Sequence, residues 1–237
     1  MTARGEQTKK LLLDTAEQLF SERGFDAVSL REIRLAAGAR NTAAMQFHWG
    51  DRDGLVDALI ERHMPRIAAI QQDLYDRMVA EGRDHDLRSQ VEVLVRPSAE
   101  YLTLGPGERA WVKIMADLSS APDLYARDMR ALAPKPALDI SILLFGELEK
   151  RMPRAIAAER MVLLAQNAVQ ICAARARIEE RQDVARPHLS MSVFVENLVD
   201  MIHGALFAPV SEALAERLND VRPDATAAAV PERIPTS

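Results

Sequence analysis

From Ile33 through Gly50 the chain carries Arg34, Arg40 and His48 and no acid at all. Asn41, Thr42 and Gln46 lie in the same stretch. Side chains of these types offer hydrogen bonds to base edges, and a surface without acids approaches phosphates without repulsion. Other chemistries find less support. The five histidines, at 48, 63, 85, 188 and 203, show no metal-ligand spacing. The triplet Asp84-His85-Asp86 reads as a solvated loop between two helices. The single cysteine, Cys172, excludes an intrachain disulfide and sits in an apolar run, so it reads as packing and not as a nucleophile. There is no phosphate loop, no Gly-x-Ser-x-Gly elbow and no His-Glu-x-x-His pair. The expectation is a non-enzymatic chain with no metal and no cofactor.

These groups need a scaffold, and the surrounding pattern is helical. Ala, Leu, Arg, Glu and Met abound, aromatic strand formers are few, and no stretch alternates at period two. Leu12, Ala16, Leu19 and Phe20 fall at helical spacing, with Lys9, Lys10, Glu17 and Glu22 on the other face. Gly24 is suited to the left-handed position that ends such a helix. Ser29 stands three residues before Glu32, a capping-box start for a short helix that buries Leu30, Ile33 and Ala37 and stops at Gly38. A third short helix is expected from about Asn41 to Phe47, with Thr42 and Gln46 on one side and Ala44, Phe47 and His48 on the other. Asp51 then caps a fourth helix that buries Leu55, Leu59 and Ile60. Two short helices joined at a glycine turn, after a longer support helix, describe a helix-turn-helix unit. On periodicity alone, an ordinary three-helix subdomain with a solvated turn fits as well.

The whole chain of 237 residues has a net charge of −5. Residues 1–66 hold ten basic and ten acidic side chains, so the deficit lies in the remainder. This argues against a protein coated in basic charge but leaves room for a small local nucleic-acid site. The N-terminus has no apolar signal core and no apolar run approaches the ~18 residues of a membrane span, so a cytoplasmic location is expected.

The sequence resembles the TetR family of transcriptional regulators. The resemblance runs from the first helix to about Leu59. It rests on Ser29-Leu30-Arg31-Glu32-Ile33, on Ala36-Ala37-Gly38, and on Phe47-His48-Trp49-Gly50 followed by Arg52 and Leu55. The usual Gly-Thr-hydrophobic-Tyr run is replaced by Arg40-Asn41-Thr42-Ala43-Ala44-Met45-Gln46-Phe47, which looks like a subgroup with an Arg-Asn-x-x-Ala-x-x-Tyr-His-Phe-Gly variant. Phe47 takes the tyrosine place, so a hydroxyl contact to phosphate is lost. The resemblance implies that Ser29 caps the second helix and presents amides to a phosphate. It implies groove contacts from Arg40, Asn41, Thr42 and Gln46, and phosphate contacts from His48 and Arg52. Phe47 and Trp49 are expected in the core of the unit.

It also implies the architecture. The expected fold class is all-α: a helix-turn-helix DNA-binding domain over 1–50, a helical ligand-binding and dimerisation domain over 51–218, and a disordered tail over 219–237. Apolar residues on several faces of the helices around Val169 and Leu198 suit pairing with a second copy, which would set two reading heads about one DNA turn apart. An effector pocket is expected among Tyr101, Leu104, Trp111, Met115, Met129, Phe145, Met152 and Gln166, a Met- and aromatic-rich set suited to an apolar ligand. Pro65 reads either as a hinge in the fourth helix or as the boundary between two helices. The partners implied are a double-stranded DNA operator, a small-molecule effector and a second copy of the chain. The function implied is a ligand-released repressor. An activator in the same fold, an all-helical enzyme and a non-DNA-binding interaction module are the alternatives.

Overall fold

A computed structural model describes residues 3–39, 44–120, 133–180 and 189–220. Among these the secondary structure is entirely helical. The elements are α1 (Ala3–Arg23), α2 (Leu30–Ala36), α3 (Ala44–Trp49), α4 (Arg52–Ala80), α5 (Leu87–Tyr101), α6 (Pro106–Ser119), α7 (Lys135–Glu149), α8 (Arg154–Glu180), α9 (Met191–Phe207) and α10 (Glu212–Asp220). The tail expected over 219–237 lies almost wholly outside the described residues, and α10 carries helix to Asp220.

The boundaries follow local chemistry. Gly24 takes φ +87° directly after α1, and Gly38 takes φ +64° just beyond α2, both in the region that favours glycine. Asp51 caps α4 by accepting from the Gly54 amide at 2.9 Å. Asp86, in the acid-rich loop, caps α5 by accepting from the Ser89 amide at 3.1 Å, which gives that loop a structural role. Two prolines lie within helices. Pro65 lies inside α4 and Pro97 inside α5. Pro65 therefore ends no helix, and α4 runs unbroken from the small N-terminal unit into the larger body.

The core explains why the helices pack as they do. Leu12, Ala16 and Phe20 of α1, Ile33 of α2 and Leu55 and Leu59 of α4 are fully buried in the N-terminal unit. In the body, Trp111, Ile114, Ile140, Leu144, Leu148, Cys172 and Val199 are equally buried. Helix α6 packs against α8, and α9 against α5. Arg88 of α5 fixes the latter pair through Glu196 at 2.8 Å and Asp200 at 2.7 Å on α9. The N-terminal unit meets the body chiefly where α1 lies on α6. No single helix among the described residues is long and apolar enough to cross a membrane.

Candidate nucleic-acid interface

The N-terminal unit is built from its caps outward. The Glu32 carboxylate accepts twice from Ser29, from its amide at 2.9 Å and its hydroxyl at 2.7 Å, while the Glu32 amide donates to Ser29 Oγ at 3.2 Å. With Arg23 2.8 Å away as well, these donors hold the Glu32 carboxyl down at about 2, the Ser29 amide contributing most. The cap expected at Ser29 is thus formed, and its hydroxyl is engaged within the box. Arg34 donates to the carbonyl of Ala39 at 3.0 Å, closing the end of α2.

Helix α3 is seated by α4. The Asp51 amide donates to the Trp49 carbonyl at 2.9 Å. Gly54, in the first turn of α4, lies against that same carbonyl; a Cβ there would overlap its oxygen and stand 3.0 Å from its carbon. The position therefore requires glycine for space and not for conformation. Nothing in the sequence pattern marks Gly54 beyond its being an uncommon residue in a helix interior.

The predicted contact residues fall into three groups. Arg40, Asn41 and Thr42 lie outside the described residues. Gln46 is exposed on α3, and His48 is half-buried, with its ring 5.2 Å from Phe47 and 5.6 Å from Trp49. Arg52 is turned inward. Its guanidinium donates to the Val28 carbonyl at 2.8 Å and to the Phe25 carbonyl, and lies 4.0 Å from the centre of the Phe25 ring. A guanidinium with these partners braces the turn before α2.

The aromatic pair divides as well. Trp49 packs against the core, as expected. Phe47 does not: it is 75% exposed, because α3 turns Met45 inward and Phe47 outward. The helical wheel placed it on the opposite face from Gln46, but a wheel shows angles and not which arc is covered.

A buried polar bridge ties this unit to the body. Nε2 of His63 on α4 lies 3.1 Å from Glu17 on α1, and Nδ1 lies 2.8 Å from the Tyr101 hydroxyl on α5. A carboxylate only accepts, so the His63 ring donates to Glu17 from Nε2, and its Nδ1 shares a hydrogen bond with the Tyr101 hydroxyl. Burial, the largest cause, pushes the Tyr101 phenol up to about 12, which keeps it a donor. The His63 ring stacks on Trp111 of α6 at 4.7 Å. Arg62 pairs with Asp14 at 2.8 Å and Glu17 at 3.0 Å. Asp117 of α6 accepts from the Phe25 amide at 3.2 Å. The sequence pattern assigned Glu17 to the outer face of α1; it is buried because α6 covers that face.

A cleft of about 740 Å³ opens beside this bridge, bordered by α1, α4 and α6 and lined by side chains such as Asp14, Glu17, Arg62, Arg66, Glu108 and Lys113. Its charges pair across it, Arg66 with Glu108 at 2.6 Å and Lys113 with Glu180 at 2.6 Å. Of the seven expected effector contacts that are described, only Tyr101 lines it. Trp111 and Met152 are buried in the core, Met115 and Phe145 pack partly against it, and Leu104 is exposed. Gln166 donates to the Ser119 carbonyl at 3.0 Å, and Met129 lies outside the described residues. Among the described residues of this set, Trp111, Met115, Phe145 and Met152 turn their apolar surface toward neighbouring helices.

With the geometry in place, comparison with known proteins locates it. Residues 12–59 match the model of bacterial regulatory proteins, tetR family. That span begins at the buried Leu12 of α1 and ends at the buried Leu59 of α4, so it contains the capping box, α3 and the Gly54 seat. It covers the residues through which the sequence resembles the TetR family. No curated protein matches the chain. A crystal structure of a gamma-butyrolactone receptor (ArpA-like protein) is 20% identical, covering 92% of this chain and 94% of that one, with a TM-score of 0.38.

Proposed function

We propose that this protein is a ligand-responsive, DNA-binding transcriptional regulator of the TetR type, acting as a repressor that its effector releases. The observation that carries the reading is the tetR-family match over residues 12–59, lying on a unit whose α3 is seated by α4 and flanked by no acid from Ile33 to Gly50. We place the DNA-reading domain at 1–50 and the sensor and dimerisation domain from 51 onward. Arg40, Asn41, Thr42, Gln46 and His48 are the proposed contacts, with Ser29 capping α2 beside them. A DNA partner implies a cytoplasmic location.

Two further features support the regulatory part. Val162 and Leu163 of α8 and Val193 and Met201 of α9 are exposed apolar residues, and Gly204 has open space where a Cβ would stand. A second copy covering these helices would bury them and pair two reading heads. The Glu17–His63–Tyr101 bridge and the unbroken α4 give an effector bound in the body a rigid route to the heads. The effector favours whichever form cannot span both half-sites.

The test is a fluorescence-anisotropy titration of the purified full-length protein against genomic fragments at moderate salt. Saturable, sequence-dependent binding is expected. Its absence would sink the reading.

A further inference from the structure

A phenylalanine that is 75% exposed forgoes most of the stabilisation that burying its ring would contribute. Phe47 shares the exposed arc of α3 with Gln46, while the neighbouring Met45 is buried and Trp49 packs inward. No charged side chain of α3 flanks it; its one ring contact within the helix is His48. Exposed apolar side chains scattered singly are ordinary. Here, however, the residue lies on the element that the proposed function places in the major groove, beside a side chain built to hydrogen-bond base edges.

The floor of that groove offers hydrogen-bond donors and acceptors on every base pair and a single apolar group, the C5-methyl of thymine. A benzyl side chain has no hydrogen bond to give there, so the only base-edge partner that rewards it is that methyl. We infer that Phe47 is a specificity-determining residue that selects thymine at one position of each half-site by covering its methyl group. The inference rests on the proposed DNA-binding function and adds to it a residue and the base it reads. It also accounts for the loss of the tyrosine hydroxyl at this place: an apolar ring exchanges a polar anchor for methyl discrimination.

The experiment uses the full-length protein throughout. A duplex pool carrying a random 20-base-pair stretch, selected by the wild type, yields a preferred sequence. Fluorescein-labelled duplexes of that sequence are then made with uracil replacing each thymine in turn, which removes one methyl and nothing else. Wild type and Phe47→Ala are titrated against the set, with circular dichroism confirming that the exposed substitution leaves the fold intact. The wild type is expected to lose about fourfold in affinity at one thymine per half-site, the effect of one methyl-sized group. Phe47→Ala is expected to bind the thymine and uracil duplexes equally at that position, and to bind the parent sequence about as weakly as the wild type binds the uracil one. If the uracil penalty is the same in both proteins, or Phe47→Ala weakens every duplex alike as a backbone or wedge contact would, the inference is overturned while the proposed function stands. If the wild type selects no sequence, the proposed function fails and takes the inference with it.

Discussion

Glu17 of α1 and His63 of α4 meet at 3.1 Å in the buried seam between the N-terminal unit and the body. Three neighbours hold the pair: Tyr101 occupies the other ring nitrogen, Trp111 stacks on the ring, and Arg62 holds the same carboxylate oxygen. Removing the carboxylate leaves a buried imidazole N–H without an acceptor. Glu17→Ala is therefore expected to lower unfolding free energy by about 1–3 kcal/mol, measured by urea denaturation. His63→Ala, which also opens space beside Trp111, is expected to cost at least as much. A change under about 0.5 kcal/mol in both would show that the bridge contributes nothing net.

Gly54 is the seat of α3. Gly54→Ala pushes a methyl into the Trp49 carbonyl, and backbone on both sides must shift. Overpacking of this kind costs about 1–3 kcal/mol. The larger consequence is geometric, since α3 carries Gln46 and Phe47. The variant is expected to remain folded at 25 °C and to lose sequence-specific DNA binding by at least tenfold in an anisotropy titration. Retained binding would mean that α3 adapts to the displacement.

How much of this could be read from the chain depends on whether local chemistry or tertiary covering decides. The capping box at Ser29 and Glu32, the stops at Gly24 and Gly38 and the Asp51 cap are local, and each stands where residue types at fixed spacing placed it. Glu17 and Phe47 depart from the sequence pattern, and Arg52 turns inward, for one shared reason. Which arc of a helix is covered depends on its neighbours: α6 covers Glu17, Phe47 stays 75% exposed, and the Phe25 and Val28 carbonyls draw Arg52 in. Pro65 misleads similarly, because packing on α5 and the body sustains α4 despite the lost hydrogen bond.

Arg52 and Gln46 should therefore respond differently to truncation. Gln46→Ala and Arg40→Ala are each expected to lose specific binding with unchanged stability. Arg52→Ala leaves two backbone carbonyls without their guanidinium and is expected to lower stability by about 1–3 kcal/mol. It should not change the salt slope of DNA binding, since no phosphate contact is removed. A slope reduced by about one would return Arg52 to the phosphate contacts.

The capping box makes a prediction about acid. The Glu32 carboxyl sits at about 2 in the folded chain against an ordinary 4.5. A group held down on folding contributes fully above its unfolded value and loses that contribution as pH falls toward the folded one. The contribution of Glu32 is thus complete above about pH 4.5 and fades between there and pH 2. Glu32→Gln keeps the cap geometry without the charge, so its stability deficit relative to wild type should shrink across that window. A deficit constant from pH 6 to pH 2 would place the value of the box in its shape and not in its charge.

Charge also sets how DNA is held. Residues 1–66 balance ten basic against ten acidic side chains, and several of the bases are already committed: Arg23 to Glu32, Arg62 to Asp14 and Glu17, Arg66 to Glu108, Arg52 and Arg34 to carbonyls. Few cations remain in each head to displace counterions from a duplex. The logarithm of affinity falls with the logarithm of salt concentration by nearly one for each phosphate neutralised. A head with so few uncommitted bases should therefore give a shallow slope, even doubled in a dimer. Titrations between 50 and 200 mM salt are expected to lose well under the ~10³-fold that six phosphate contacts entail. A slope as steep as that of a protein neutralising about ten phosphates would mean that cations now paired within the protein are released to DNA on binding.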